Sequence, residues 1–484
     1  MTTDRAATAA STGTVFARGL LFVLSGNMLL DALEVSVAVV ALPSIGADLG
    51  LSLTALGWVV SGFALGFGGL LLLSARLVAE LGRRRVYLAG LLVFAVASVL
   101  GALATSGPLL IAGRIVKGCC AALTAPTGLA IIADAFPAGP ARNRAVSVYA
   151  LFGAGGFSAG LVLSGLLTEV SWRWTFLFPG PVALVLFLCG LRLIPGRTRG
   201  GNPSPPRPGI AHRYDLPGAV TSVGALLALA WALTRGPGAG WTDPLTVAGL
   251  LSAAALGVAF VHVEGAAPRP LLRTGLLAHR PLRWSALGAA ALNGSYLGFL
   301  FVVTLDLQSG RGWSPLATGL GLLPASLPLA VAVATGFSGR LVGRFGPARL
   351  IALGAWAPPA GYLWCLLAGD HPSYPSTTLP ALLLVGLGFV LQFAALNTQA
   401  MAGVPDTDRG MAGAVYQTSV QVAGALTTAP VASLLAAGAH GARRAALAFV
   451  TAVGVAGFAV AVAAGVSRRR APLTAVPEHR HRDG

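Results

Sequence analysis

Apolar runs of about twenty residues recur from one end of the chain to the other, separated by short polar stretches rich in Gly, Pro and Arg. Fourteen such runs can be delimited: 19–42, 54–75, 86–104, 108–133, 144–167, 174–194, 216–235, 244–264, 284–307, 316–337, 348–369, 379–400, 412–437 and 445–466. A helix must cross roughly 30 Å of hydrocarbon, which takes about 20 residues. Lipid offers the backbone no hydrogen-bond partners, so each run is expected to be helical. The pattern predicts an all-α polytopic membrane protein with 14 transmembrane helices.

Composition agrees: 55% of the 484 residues are hydrophobic and 10% charged, against about 25% charged in soluble chains. The formal net charge of +17 raises the question of nucleic acid, which the placement of the 33 Lys and Arg answers. Most fall at the termini and in alternate loops, in clusters at Arg83 to Arg85, Arg197 to Arg213, Arg269 to Arg283, Arg340 to Arg349 and Arg468 to Arg482. The other loops and nearby helix ends hold five: Arg173, Arg235, Arg311, Arg443 and Arg444. That asymmetry is the positive-inside pattern and predicts a multi-pass protein of the cell (plasma) membrane with both termini cytoplasmic. The basic excess is then read as topology and as contact with anionic lipids at the cytoplasmic face, with no nucleic acid as partner. The first apolar run is full length and no small-residue cleavage site follows it, so it is expected to be retained.

Chemistry of other kinds finds no support in the pattern. The four cysteines, Cys119, Cys120, Cys189 and Cys365, fall inside apolar runs and belong to no spaced Cys/His array, so no metal is expected. Neither a phosphate loop nor a nucleophile-base motif stands out, which argues against an enzyme.

The segments "ARLVAELGRRR" (75–85) and "GRLVGRFGPAR" (339–349) share Arg, Leu, Val, Gly and Arg at matching positions, 264 residues apart. That spacing is six helices plus the 89 residues of 195–283. The expected organisation is an N-terminal six-helix bundle (1–194), a Pro-, Gly- and Arg-rich cytoplasmic linker plus inserted transmembrane hairpin (195–283), a C-terminal six-helix bundle (284–466) and a basic cytoplasmic tail (467–484). Internal repeats of this kind mark secondary transporters, whose substrate site lies near the midplane between the halves.

The motifs "EVSVAVVALP", "ARLVAELGRR", "GRIVKGCCAALTAP", "GFSAGLVLSG" and "SWRWTFLFPGP", in that order, resemble the major facilitator superfamily, and within it the fourteen-helix drug:proton antiporter branch. "EVSVAVVALP" resembles the acid-x-Thr pattern ending in Ala-Leu-Pro of helix 1, with Glu34 at the acid position and Asp31 an additional acid one turn earlier. "ARLVAELGRR" resembles the loop between helices 2 and 3, with Gly82, Arg83 and Arg84 in place but Ala79 where the family has Asp; the second copy carries Gly343 there. "GRIVKGCCAALTAP" resembles helix 4, with Arg114 and Gly118 matching and Lys117 replacing Gln. "GFSAGLVLSG" resembles the helix 5 antiporter pattern in Gly156, Gly160 and Gly165, with Leu161 in place of Pro. "SWRWTFLFPGP" is similar to the signature before helix 6, and "DLQSGRGWSPLATGLGLLP" to the segment after the inserted pair. The resemblance implies the major facilitator fold and alternating access. It implies a gating latch at Gly82, Arg83, Arg84 and Arg344, for which positive-inside anchoring is the plainer alternative. It also implies a gating role for Gly156 and Gly160, whose spacing of four suits close helix approach as much as ordinary packing.

Two acids and two bases lie deep inside apolar runs. An ionised carboxylate in hydrocarbon costs about 2.5 kcal/mol or more on insertion scales, so such groups face a cavity or a partner. Asp31 and Glu34 share one face of their helix, as do Arg114 and Lys117, each pair being i and i+3. At about 1.5 Å per residue the two pairs overlap in depth. Pairing of Glu34 with Arg114 and of Asp31 with Lys117 is expected, either as a proton-coupling cluster or as a static clasp. Asn27, Asn293, Tyr296, Asn397, Gln399, Tyr416, Gln417 and Gln421 are candidates for the substrate cavity, or for hydrogen bonds between helices.

The function expected is secondary active transport: proton-coupled export of small lipophilic or amphipathic compounds such as a drug, antibiotic or natural product. Small molecule, protons and bilayer would be the partners, and the proton gradient the energy source in place of a cofactor. A proton-coupled importer or symporter of a specific solute, and a transport-inactive membrane sensor, are the alternatives.

Overall fold

The computed structural model describes residues 2–195, 216–266, 274–369, 373–405, 407–438 and 441–469. Most of the expected linker and the tail from 470 onward lie outside the described residues. Among those described, every regular element is helical. Fourteen long helical segments follow one another: α1 (Thr2–Leu49), α2 (Leu53–Leu81), α3 (Arg83–Ala102), α4 (Gly107–Ala135), α5 (Pro140–Val170), α6 (Trp172–Leu193), α7 (Leu216–Ala239) and α8 (Pro244–Ala266) come first. After them come α9 (Arg280–Gly310), α10 (Pro315–Ala334), α11 (Pro347–Leu367), α12 (Tyr374–Met401), α13 (Arg409–Ala436) and α14 (Ala442–Arg469). Short helices Thr274–Ala278 and Phe337–Phe345 precede α9 and α11. Thirteen of the long helices are apolar enough to cross a membrane. The sequence pattern predicts fourteen; α7 is helical where the seventh run was expected but is not among the thirteen.

The breaks between helices have local causes. Ser52 caps α2 by accepting from the Ala55 N–H at 3.2 Å, which satisfies one of the free donors of the first turn. Gly82 sits at φ 86°, ψ 140° between α2 and α3, and Gly346 at φ 75°, ψ 153° between the short helix Phe337–Phe345 and α11. Side chains with a Cβ avoid that region. The two similar sequence segments therefore end in the same backbone turn, which defines one face of the molecule, here the turn face; the opposite face is the far face.

Helices α1 to α6 pack among themselves, as do α9 to α14. Two seams join the groups. Along the first, α5 meets α10: Glu169 accepts from the Leu316 N–H at 3.1 Å, Gly165 lies against Pro315 and Leu316, and Ser158 Oγ is 2.9 Å from Ser326 Oγ. Along the second, α2 meets α13: Gly57 faces Ala432, Ser61 donates to the Ala425 carbonyl at 3.3 Å, and Thr418 to that of Gly68 at 3.3 Å. These contacts run from the far face to mid-helix, whereas the turn-face ends of the same helices, at Glu80, Pro140, Thr335 and Arg409, are exposed. The halves meet along the far face.

The inserted pair leans on the second seam. Ala230 of α7 packs with Ala64 and Leu65 of α2 and with Ala425 of α13, so α7 touches both halves. Arg235 donates to Asp243 at 2.8 Å across the hairpin turn and holds that carboxyl well down, to about 2. Beyond it α8 packs on α7 and presents Leu251 and Val261 outward.

Small residues set the helix spacing, because in lipid there is no hydrophobic drive between helices and van der Waals fit takes its place. A Cβ on Gly66 of α2 would strike the Ile115 carbonyl, and one on Gly118 of α4 that of Phe63, so these glycines allow the two backbones to cross in contact. On α5, a Cβ at Gly156 would lie 2.8 Å from Leu29 O of α1, whereas the neighbouring Gly155 has open space. Gly156→Ala is therefore expected to cost about 1–3 kcal/mol by overpacking and to lower the thermal unfolding midpoint of the detergent-purified protein. Gly155→Ala should leave that midpoint unchanged or raise it; equal drops in both would contradict this packing.

Candidate functional site: a buried charge cluster between α1 and α4

Asn27, Asp31 and Glu34 follow one another along one face of α1, and Arg114, Lys117 and Thr124 along one face of α4. The two helices run antiparallel in contact, and these faces meet. Asp31, Glu34, Arg114 and Lys117 are all at most 3% exposed.

Glu34 is the centre of the cluster. Arg114 Nη1 donates to Glu34 Oε2 at 2.6 Å and Nη2 to the Glu34 backbone carbonyl at 3.0 Å, while Nε donates to the Val59 carbonyl of α2 at 2.9 Å. Lys117 Nζ forms an ion pair with the other oxygen, Glu34 Oε1. Aromatic rings cover the cations: Arg114 lies over Phe63 at 4.9 Å, and Lys117 near Phe94 at 5.0 Å and Phe176 at 5.6 Å. Ring faces supply partial negative charge where water is absent.

This arrangement corrects the expected pairing. Glu34 does meet Arg114, but Lys117 also turns to Glu34 and forms no couple with Asp31. Register explains it: Arg114 and Lys117 meet the two oxygens of Glu34, whereas Asp31, three residues earlier on α1, lies about 4.5 Å further along the helix axis. Asp31 faces Thr124 instead, about two turns further along α4. Its Oδ2 accepts from Asn27 Nδ2 and from Thr124 Oγ1, each at 3.1 Å. Thr124 was not singled out in the sequence. Its position seven residues after Lys117, on the same helix face, is the signal that could have found it.

The remaining predicted residues fall in several places. Arg83 pairs with Asp134 and Arg84 Nη2 donates to the Leu191 carbonyl at 2.5 Å, so both fasten the turn face of the first half. Arg344 is exposed and lies over Phe345 at 5.5 Å. Gly160, like Gly156, abuts α1, at Leu33 and Ser36. Tyr296 of α9 is buried between Phe157 of α5, 5.5 Å away, and Phe389 of α12, 4.6 Å away, an aromatic link across the halves. Asn293 donates to the Val420 carbonyl at 2.9 Å, tying α9 to α13. Gln399, Tyr416 and Gln421 are buried, Gln417 is half-buried and Asn397 is exposed. Gln392, not among the expected residues, is also buried, beside Ser295 and Gly354. Among the described residues no group of three or more His, Cys, Asp or Glu could hold a metal.

Residues 24–428 match the family model of the Major Facilitator Superfamily. The chain belongs to this superfamily. It is a multi-pass membrane transport protein and not an enzyme. Among its relatives, the puromycin resistance protein pur8 of Streptomyces alboniger is 38% identical over 415 residues, 85% of this chain and 80% of that one. The cephamycin export protein CmcT of Amycolatopsis lactamdurans is 32% identical, over 84% of this chain and 83% of that one. The structure of the E. coli xylose transporter XylE, in a partially occluded inward open conformation, superposes with a TM-score of 0.61 at 15% identity and covers 95% of this chain and 98% of that one. This last likeness is one of fold.

In a transporter, a doubly paired acid of this kind is first a structural necessity. Glu34→Gln would leave Arg114 and Lys117 buried without their shared anion, at an expected cost of about 3–5 kcal/mol. Thr124→Val removes one neutral donor and should cost about 1 kcal/mol. Thermal unfolding of the purified variants should show a large drop for the first and a small one for the second. Equal drops would show that Glu34 does not hold the cations in place.

Proposed function

We propose that this transporter exports small lipophilic or amphipathic compounds, antibiotics among them, from the cell in exchange for protons. The observation that carries the reading is the pair of buried acids, Asp31 and Glu34, on the helix that also packs against the seam-forming α5. Intramembrane acids of this kind mark ion and proton pathways. Relatives at 38% and 32% identity, named for antibiotic resistance and export, support the substrate class and direction. So does the aromatic link of Phe157, Tyr296 and Phe389 between the halves, the kind of surface that apolar ligands pack against. No cofactor is needed, because the proton gradient supplies the energy.

The distribution of Lys and Arg supports placing the turn face in the cytoplasm, with both termini, and the chain in the plasma membrane. Basic residues such as Arg85 and Arg344 on that face suit contact with anionic lipid headgroups. Two six-helix bundles, 1–194 and 284–466, would rock about the cluster and the seams, with 195–283 as the insertion between them.

Opening the far face requires Glu169 to leave the N-terminus of α10 and Gln308 to leave the Val40 carbonyl, which it meets at 2.8 Å. Glu169→Ala is expected to favour the outward-facing state. A cysteine introduced at Leu316 should then react several-fold faster with a membrane-impermeant maleimide added outside; an unchanged rate would mean that Glu169 is no clasp. For the activity itself, inverted membrane vesicles with an acid interior should accumulate puromycin, and a protonophore should abolish the accumulation. Accumulation by right-side-out vesicles alone would make the protein an importer, and accumulation indifferent to the protonophore would remove proton coupling.

A further inference from the structure

Asp31 and Glu34 are alike in burial and opposite in company. Both oxygens of Glu34 are ion-paired, one with Arg114 and one with Lys117. A carboxylate so neutralised holds its charge at little cost in hydrocarbon, and a proton arriving there would leave two cations unbalanced. Asp31 has no cation among the described residues. Its Oδ2 is held by two neutral donors, and its Oδ1, equally buried, has no hydrogen-bond partner among the described residues.

The groups around Asp31 sharpen the contrast. On its own helix the nearest charge is Glu34, of the same sign. From α4 come Thr124 and the Cys120 thiol, from α3 the Tyr87 hydroxyl and from α5 the Tyr149 hydroxyl, all within the electrostatic reach of its carboxyl. α2 contributes nothing ionisable between Leu53 and Ser74. Tyr149 already donates to the Ala125 carbonyl at 2.8 Å, whereas the buried Tyr87 hydroxyl has no hydrogen-bond partner among the described residues.

From this geometry we infer that Asp31, and not the family-position acid Glu34, carries the exchanged proton, at Oδ1, with Asn27 and Thr124 steadying the opposite oxygen. The inference rests on the proton-coupled reading above and names its site. When Asp31 takes up the proton, the cluster keeps two cations and one anion; when it releases the proton, the four charges balance. One unit of charge is thereby switched in a medium of low dielectric, where it weighs far more than in water, while the Arg114–Glu34–Lys117 knot stays intact in both states. Asn27 and Thr124 are positioning residues: they set which oxygen is left open.

Infrared difference spectroscopy of the purified full chain, titrated over pH, reads protonated buried carboxyl groups directly and needs no substrate. Wild type should show a titrating carboxyl band that is lost in Asp31→Asn. Because Glu34→Gln is expected to be poorly stable, Thr124→Val is the second variant. It should keep the titrating band but shift its frequency, since one hydrogen bond to the carboxyl is gone. A band that survives Asp31→Asn, or one that Thr124→Val leaves unmoved, would overturn the assignment. Uptake of puromycin into proteoliposomes under a pH gradient is measured alongside. If wild type shows the Asp31 band but no uptake, the export reading fails for that probe and the proton assignment stands.

Discussion

A charge inside a membrane must bring its counter-charge with it, and the rest of this structure is arranged around that constraint. Arg114 cannot shed its proton, so wherever α4 places it an anion has to follow. Glu34 supplies that anion and also takes Lys117. α1 and α4 are thereby locked in register, with Arg114 reaching on to the Val59 carbonyl of α2. Rings of Phe63, Phe94 and Phe176 close over the cations from three further helices. The first half of the transporter is built outward from this knot.

What surrounds the knot follows a different rule. Between helices in lipid the attraction is contact itself, and contact requires small side chains. Gly66 and Gly118 let α2 and α4 touch backbone to backbone, and Gly156 and Gly160 do the same for α5 on α1. The seams between halves reuse the device with Gly57 and Gly165, and add only a few hydrogen bonds. The interior of the half is therefore tied by ions and the seams by packing and weak polar contacts. That difference suits a molecule whose halves must separate repeatedly while each half stays whole.

Much of this was legible in the chain. Apolar runs longer than a bilayer is thick can only be helices, and their number and spacing, together with the ordered motifs, carry the fold. The resemblance between 75–85 and 339–349 was visible in letters and proves to be a shared glycine turn, Gly82 and Gly346. The residues of the charge cluster were legible too, because acids and bases are rare in hydrocarbon. Tyr296 illustrates the limit: its apolar surroundings suggested a cavity, and only the fold shows it wedged between Phe157 and Phe389 from helices far away in sequence.

The sequence by itself determined the membrane class, the helix positions, the family and the four charges near one depth, since each follows from local composition or spacing along one helix. Partner choice was decided only by the tertiary structure. Whether Lys117 meets Asp31 or Glu34 depends on how far two antiparallel helices slide past one another, a few ångströms that no one-dimensional pattern contains. That small offset gives Glu34 two cations and leaves Asp31 with Asn27 and Thr124, so two acids one turn apart acquire different chemistry.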